Sequence, residues 1–222
     1  MTKLVIFDVD GTLIDSQAHI IASMTAAFGA VGVPTPTRDA ILSIVGLSLP
    51  IAIRELAQEA SDKTIAEMVD VYKADFTENR LKMDAAMPLF EGADSAIARL
   101  IARDDVVLAI ATGKSRRGLD ALLQEWTFGS HFVSTQCADN HPSKPHPSMV
   151  QACLAECEVA AQNAVVVGDT TYDMEMAAAA RCAGLGVSWG YHGVDALKAT
   201  GARAVVTDFS QLDAALDQIW KD

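Results

Sequence analysis

Short apolar runs recur along the chain, and each ends abruptly at a polar turn. The first, Leu4-Val5-Ile6-Phe7, stops at Asp8 and is followed by Asp10-Gly11-Thr12. A continuous run of this length, without polar alternation, predicts a strand buried on both faces. Residues 106–110, 164–167, 185–188 and 204–206 repeat the pattern, and 131–134 adds a candidate short strand. Between these runs the apolar positions change to helical spacing. Ile97, Leu100 and Ile101 share a face within 94–103, Ser115 is placed to cap a helix over 116–124, and the Ala-rich stretch 174–182 precedes Gly184. Strands that alternate with helices of this length imply crossover connections and a parallel sheet covered on both faces, an α/β fold.

Residues 15–88 interrupt that alternation with helical stripes alone. Ile20, Ile21, Met24, Ala27 and Phe28 form one, and Ile65, Met68, Val69, Tyr72 and Phe76 another, with Ile51, Ile53, Leu56 and Ala57 suggesting a third. The expected organisation is an α/β core from 1–14 and 89–222, with 15–88 inserted as a helical domain. The stretch between Asp15 and Arg38 lacks Asp, Glu, Lys and Arg, which is about the length needed to span a bilayer. Ser16, Gln17, His19, Ser23 and Thr25, followed by Gly29, Gly32, Pro34 and Pro36, make it an amphipathic helix and a loop instead.

Composition narrows the partners. The 222 residues carry 17 Lys and Arg against 29 Asp and Glu, a net charge of −12. Such a chain lacks the basic face that nucleic acids and anionic membranes require, and points to small metabolites accompanied by a cation. Trp126, Trp189 and Trp220 are scattered and offer no stacking platform. Four cysteines are too few for a disulfide scaffold, and no signal-peptide pattern opens the chain, so a cytoplasmic setting is expected. Cys153 and Cys157 would share a helix face, but without partners at zinc spacing they are expected to be buried thiols.

The chemistry gathers at the ends of the strands. In Asp8-Val9-Asp10 the two carboxylates are two residues apart, so an extended backbone points both the same way at about 6.5–7 Å, and a slight turn at Gly11 would bring them closer. Ligands of open parallel sheets bind beyond that edge. Close carboxylates repel, which favours a bound cation or protonation of one of them; Asp10-Gly11 is also an ordinary turn signal. Thr112-Gly113 follows a second strand and precedes a helix, a geometry suited to a phosphoryl oxygen. Lys144 stands before Pro145 in Ser143-Lys144-Pro145-His146-Pro147. Gly168-Asp169-Thr170-Thr171-Tyr172-Asp173 closes another buried run, with Asp173 equally placed to cap the helix that follows.

In this order, Asp-x-Asp-Gly-Thr, Thr-Gly, Lys-Pro and Gly-Asp-x-x-x-Asp, with a helical insert after the first, the chain resembles the haloacid dehalogenase-like hydrolases. It is most similar to phosphatases with a helical cap, the group that includes phosphoglycolate phosphatases. Gly186-Val187-Ser188-Trp189-Gly190-Tyr191-His192-Gly193 resembles the glycine-rich segment of that group. The resemblance implies a Rossmann-like core and a magnesium-dependent phosphatase acting on a small phosphorylated metabolite, with 2-phosphoglycolate the first substrate to try. It implies that Asp8 is the nucleophile and Asp10 the acid and base. Thr112, Gly113 and Lys144 would hold the phosphoryl group, and Asp8, the Asp10 carbonyl and Asp169 the Mg2+. Asp173 would orient Lys144 or a metal-bound water. The insert would act as a cap whose residues 43–48, around Gly46, meet the substrate, with Arg54 either a candidate anion contact or part of a solvated helix face. His146 and His192 receive no catalytic role.

A phosphomutase or a pyrophosphatase of the same superfamily would share these motifs. A receiver-type signalling module has a phosphorylated aspartate, Thr, Lys-Pro and magnesium but no large helical insert. Dehalogenases typically lack the second aspartate of the first motif. Monomer and homodimer both remain open.

Overall fold

The computed structural model describes residues 1–82 and 87–221. Six parallel strands, β1 (Lys3–Phe7), β2 (Val106–Thr112), β3 (Phe132–Cys137), β4 (Ala164–Gly168), β5 (Ala183–Val187) and β6 (Ala202–Val206), form one sheet in the order β3-β2-β1-β4-β5-β6. The chain builds outward from β1 in one direction and then restarts at β4 in the other. This Rossmann-like order opens a crevice beyond the carboxyl ends of β1 and β4, where the direction switches.

Period-two alternation divides β1, β2 and β4 between two apolar layers. Val5 and Phe7 of β1, with Leu108, Ile110, Val165 and Val167, face α5 (Ala93–Ile101), α6 (Arg116–Glu125) and α10 (Leu212–Ile219). Leu4 and Ile6, with Ala109, Ala111, Ala164 and Val166, face α7 (Ser148–Glu156) and α8 (Thr171–Ala179). Strands buried on both sides therefore read as the unbroken apolar runs seen in the sequence. Each such fully buried aliphatic side chain contributes about 1.5–3 kcal/mol relative to exposure. The remaining short helix, α9 (Val194–Ala199), lies between β5 and β6 in the chain.

A third apolar cluster is built by α1 (Gln17–Ala30), α2 (Arg38–Ser43), α3 (Leu49–Leu56) and α4 (Asp62–Lys82). Ile20, Met24, Ala27 and Phe28 meet Ile65, Met68 and Val69 along the α1–α4 contact, as the two stripes predict. Among the described residues no helix is long and apolar enough to cross a membrane. The expected lower edge of the insert, near 88, follows residues 83–86, which lie outside the described residues.

Strand ends differ from expectation where side-chain chemistry hides the backbone. β3 runs on to Cys137 through Thr135 and Gln136, whose polarity masks a strand paired with β2 along that length. α8 begins at Thr171, ahead of the Ala-rich run, because Thr170 and Asp173 close a reciprocal capping box at its start. Ser115 caps α6 as predicted, its hydroxyl accepting from the Gly118 amide.

Candidate active site

Asp8 follows β1 and Asp169 follows β4, so the crevice between these strands receives both carboxylates. Asp173 projects from the first turn of α8 into the same place. One oxygen from each of Asp8, Asp169 and Asp173 falls within 4.8 Å of the others, and all three side chains are buried. Lys144, also buried, sits among them. Its Nζ is 2.7 Å from Asp173 Oδ1 and 2.8 Å from Asp8 Oδ1. Neither Asp8 oxygen has a partner in hydrogen-bonding geometry.

Asp169 is held on both oxygens. Thr12 Oγ1 donates to Oδ1 at 2.9 Å, and the Tyr191 amide donates to Oδ2 at 2.8 Å. The glycine-rich segment after β5 thus returns to the crevice. Trp189 Nε1 donates to the Thr12 carbonyl and binds that segment to the loop after β1. Gly11 makes this packing possible, since its φ is +82° and a Cβ there would lie 2.3 Å from Asp169 Oδ2.

Three buried carboxylates gather beside one ammonium, which pairs with two of them, and the electrostatics record the imbalance. Burial pushes Asp8 up to about 7, with the Asp173 charge adding to the rise and Lys144 opposing it. Asp169 is also held well above the usual carboxylate range, by burial first and then by the Asp173 and Asp8 charges. Burial alone would lower the Lys144 ammonium, yet Asp173 and Asp8 outweigh it and hold it above its ordinary value. Buried carboxylates in excess, one with an unpartnered oxygen, form a donor set of the all-oxygen kind that fits a hard divalent cation.

Asp10 has a cation of its own. Its carboxylate is gripped by Lys114, whose Nζ donates to Oδ1 at 2.8 Å and to Oδ2 at 3.0 Å. The same ammonium lies 5.1 Å from the centroid of the Phe76 ring on α4. Phe76 packs against both the sheet core and the four-helix cluster. The Asp10 charge still reaches Asp8, where it adds to the rise of that carboxyl after burial and Asp173. Lys114 is a residue of this site that the sequence did not single out. Its signal was a cation directly after Thr112-Gly113 at a strand end.

Thr112 is buried at the end of β2, where its hydroxyl accepts from the Lys114 amide at 3.2 Å. Gly113 faces the loop after α2, and a Cβ on it would lie 2.6 Å from the Gly46 carbonyl oxygen and 2.8 Å from that of Leu47. That loop is tied to the core at both ends. The Ser43 carbonyl accepts from Tyr172 OH and lies 3.1 Å from His192 Nε2, while the Ser48 amide donates to Ser143 Oγ at 2.8 Å. His192 Nδ1 accepts from the Thr171 amide, so the ring bridges α8 to the loop.

Arg54 has partners within the insert: it donates to the Ala60 carbonyl and pairs with Asp62, fastening α3 to the start of α4. His146 accepts from the Ser148 amide and helps start α7. Cys153 is fully buried among apolar side chains, its thiol pushed up to about 12 by burial, and belongs to no metal cluster among the described residues.

The family model of the haloacid dehalogenase-like hydrolases matches residues 5–187. The chain belongs to that family. This haloacid dehalogenase-like hydrolase is 35% identical to the probable phosphatase IndB of Dickeya dadantii, over 100% of its own length and 96% of the relative's. It is 31% identical to the tyrosine-protein kinase PtkA of Mycobacterium tuberculosis, over 95% of its length and 70% of that protein's. A phosphoglycolate phosphatase of Agrobacterium fabrum is 26% identical, over 97% and 93% of the two chains.

Proposed function

We propose that this chain hydrolyses a phosphomonoester in two displacements, with Asp8 as the covalent nucleophile and residues 15–88 as a cap over the reaction. The carrying observation is the buried constellation of Asp8, with its unpartnered oxygen, beside Lys144 and against Asp169 and Asp173. A carboxylate oxygen kept free of hydrogen bonds is available to attack, and splitting hydrolysis into two steps is what covalent catalysis achieves.

In the first step an Asp8 oxygen forms a bond to phosphorus while the bond to the leaving oxygen breaks. Asp10 gives that oxygen a proton. In the second step water attacks phosphorus, Asp10 takes the water's proton, and the bond to Asp8 breaks to release inorganic phosphate. Thr112, the Gly113 amide and the Lys144 ammonium hold the other phosphoryl oxygens. Asp173 keeps Lys144 in place through their 2.7 Å contact. Asp8, the Asp10 carbonyl and Asp169 would hold Mg2+, which supplies positive charge against the repulsion between carboxylate and phosphate. The capping loop at 43–48 excludes water from the crevice.

The name of one relative supports hydrolysis of a phosphorylated substrate without naming it, and that of another proposes 2-phosphoglycolate. The test is inorganic phosphate release from a panel of phosphomonoesters, with and without EDTA. Release that stops with EDTA and returns with Mg2+ is expected. No release from any member would overturn the reading.

A further inference from the structure

Two helix ends of the insert are capped by side chains of the core. Ser43 closes α2, and the last carbonyls of a helix have no partner within it. The Ser43 carbonyl accepts from Tyr172 OH and from His192 Nε2, each at 3.1 Å. His192 Nδ1 already accepts from the Thr171 amide, so the ring carries its hydrogen on Nε2, toward that carbonyl. Ser48 is the N-cap of α3, its own hydroxyl makes no capping bond, and Ile51 stands where a capping-box acid would reach back to the Ser48 amide. Ser143 Oγ takes that amide instead, at 2.8 Å.

The two caps flank one ion pair. Ser143 precedes Lys144 and Tyr172 precedes Asp173, and Lys144 Nζ lies 2.7 Å from Asp173 Oδ1. The loop at 43–48 therefore ties the segment that carries Asp173 to the segment that carries Lys144. Beside it lies a cavity of about 560 Å³, bordered by Ser43, Ile44 and Leu47 of the insert and by Lys144 and Tyr172 of the core. On this side the seam is open, and hydrogen bonds at the two ends of the loop close it in place of packing.

We infer that Tyr172 and Ser143 are positioning residues: through the loop they brace the Lys144–Asp173 pair, so that seating of the loop and binding of a phosphoryl group at Lys144 strengthen each other. The inference rests on the reading that Lys144 holds the phosphoryl oxygens. A shift of either flanking segment moves one member of the pair, and a displaced ammonium holds an anion less well. Linkage makes the effect reciprocal, since the factor that the seated loop adds to phosphate affinity is the factor that bound phosphate adds to seating.

The test is hydrogen exchange of the amides of 44–48 as inorganic phosphate is titrated into the protein with Mg2+ present. Phosphate should slow that exchange at least about tenfold, because opening of the loop then costs affinity. In Tyr172→Phe and in Ser143→Ala the phosphate Kd should rise about threefold to tenfold, and the protection should shrink by the same factor. KM for a phosphomonoester should rise with the Kd while kcat stays within about twofold, and Ser143→Thr, which keeps the hydroxyl, should restore both Kd and KM. Exchange that phosphate leaves unchanged, or a Kd unmoved in both variants, overturns the inference and leaves the phosphatase reading intact. Exchange slowed by phosphate, with no phosphomonoester hydrolysed, removes the hydrolytic reading and supports the brace.

Discussion

Lys114 holds both carboxylate oxygens of Asp10, at 2.8 and 3.0 Å, while its ammonium rests against Phe76 of α4. The group assigned to proton transfer is therefore fixed by a side chain that the helical insert itself seats. The Lys114 and Asp10 side chains are only 8% and 13% exposed, so the pair is weakly screened by solvent. Lys114→Met keeps the length and loses the charge. Expected is a fall in kcat of about tenfold to hundredfold with KM changed less, since a misplaced acid affects chemistry more than binding. Phe76→Leu, which removes a contact worth about 0.5–1 kcal/mol, should give a smaller loss in the same direction. Steady-state kinetics on both variants check this, and an unchanged kcat in Lys114→Met would refute the positioning role.

Gly113 lets the loop at 43–48 lie directly on the core. In Gly113→Ala the new Cβ would meet the Gly46 and Leu47 carbonyl oxygens well inside van der Waals contact. The loop must lift, which should raise KM severalfold and lower stability by about 1–3 kcal/mol. Thermal melting and KM, measured together, distinguish this from a wild-type-like variant, which would show that the loop is not seated as described.

The raised carboxyl of Asp8 sets a direction for stability against pH without metal. Its folded value of about 7 exceeds the ordinary 3.8, so between these values the folded protein binds the extra proton. This contribution is fully present below about pH 4 and is lost as pH rises through about 7. Asp169, raised for the same first reason of burial, adds to the trend. Mg2+ requires the ionised forms, so its stabilising effect should grow from pH 5 to pH 8. Melting curves with EDTA and with Mg2+ across that range check the sign. A larger Mg2+ effect at pH 5 would show that these carboxylates are not the ligands.

The sheet was legible because its central strands are buried on both faces, and Leu4 through Phe7 had to be apolar at every position. The order of motifs located Asp8, Thr112, Lys144 and Asp169, since each stands where a strand or a turn must end. Lys114 was not legible, because nothing local distinguishes a lysine that reaches Asp10, 104 residues earlier, from one in solvent. Arg54 carried two readings, anion contact and helix face, because its nearby acid, Asp62, lies eight residues on, across a turn whose path the helical stripes did not reveal. Asp173 carried two readings, cap and lysine partner, and its two oxygens serve both, Oδ2 to Thr170 and Oδ1 to Lys144.

In the proposed reaction Asp8 bonds to phosphorus, and the deciding measurement is phosphate release by Asp8→Asn on the best substrate of the panel with saturating Mg2+. A folded variant whose kcat falls by at least about a thousandfold is the predicted result. A folded Asp8→Asn enzyme that still turns over within about tenfold of the original would contradict it.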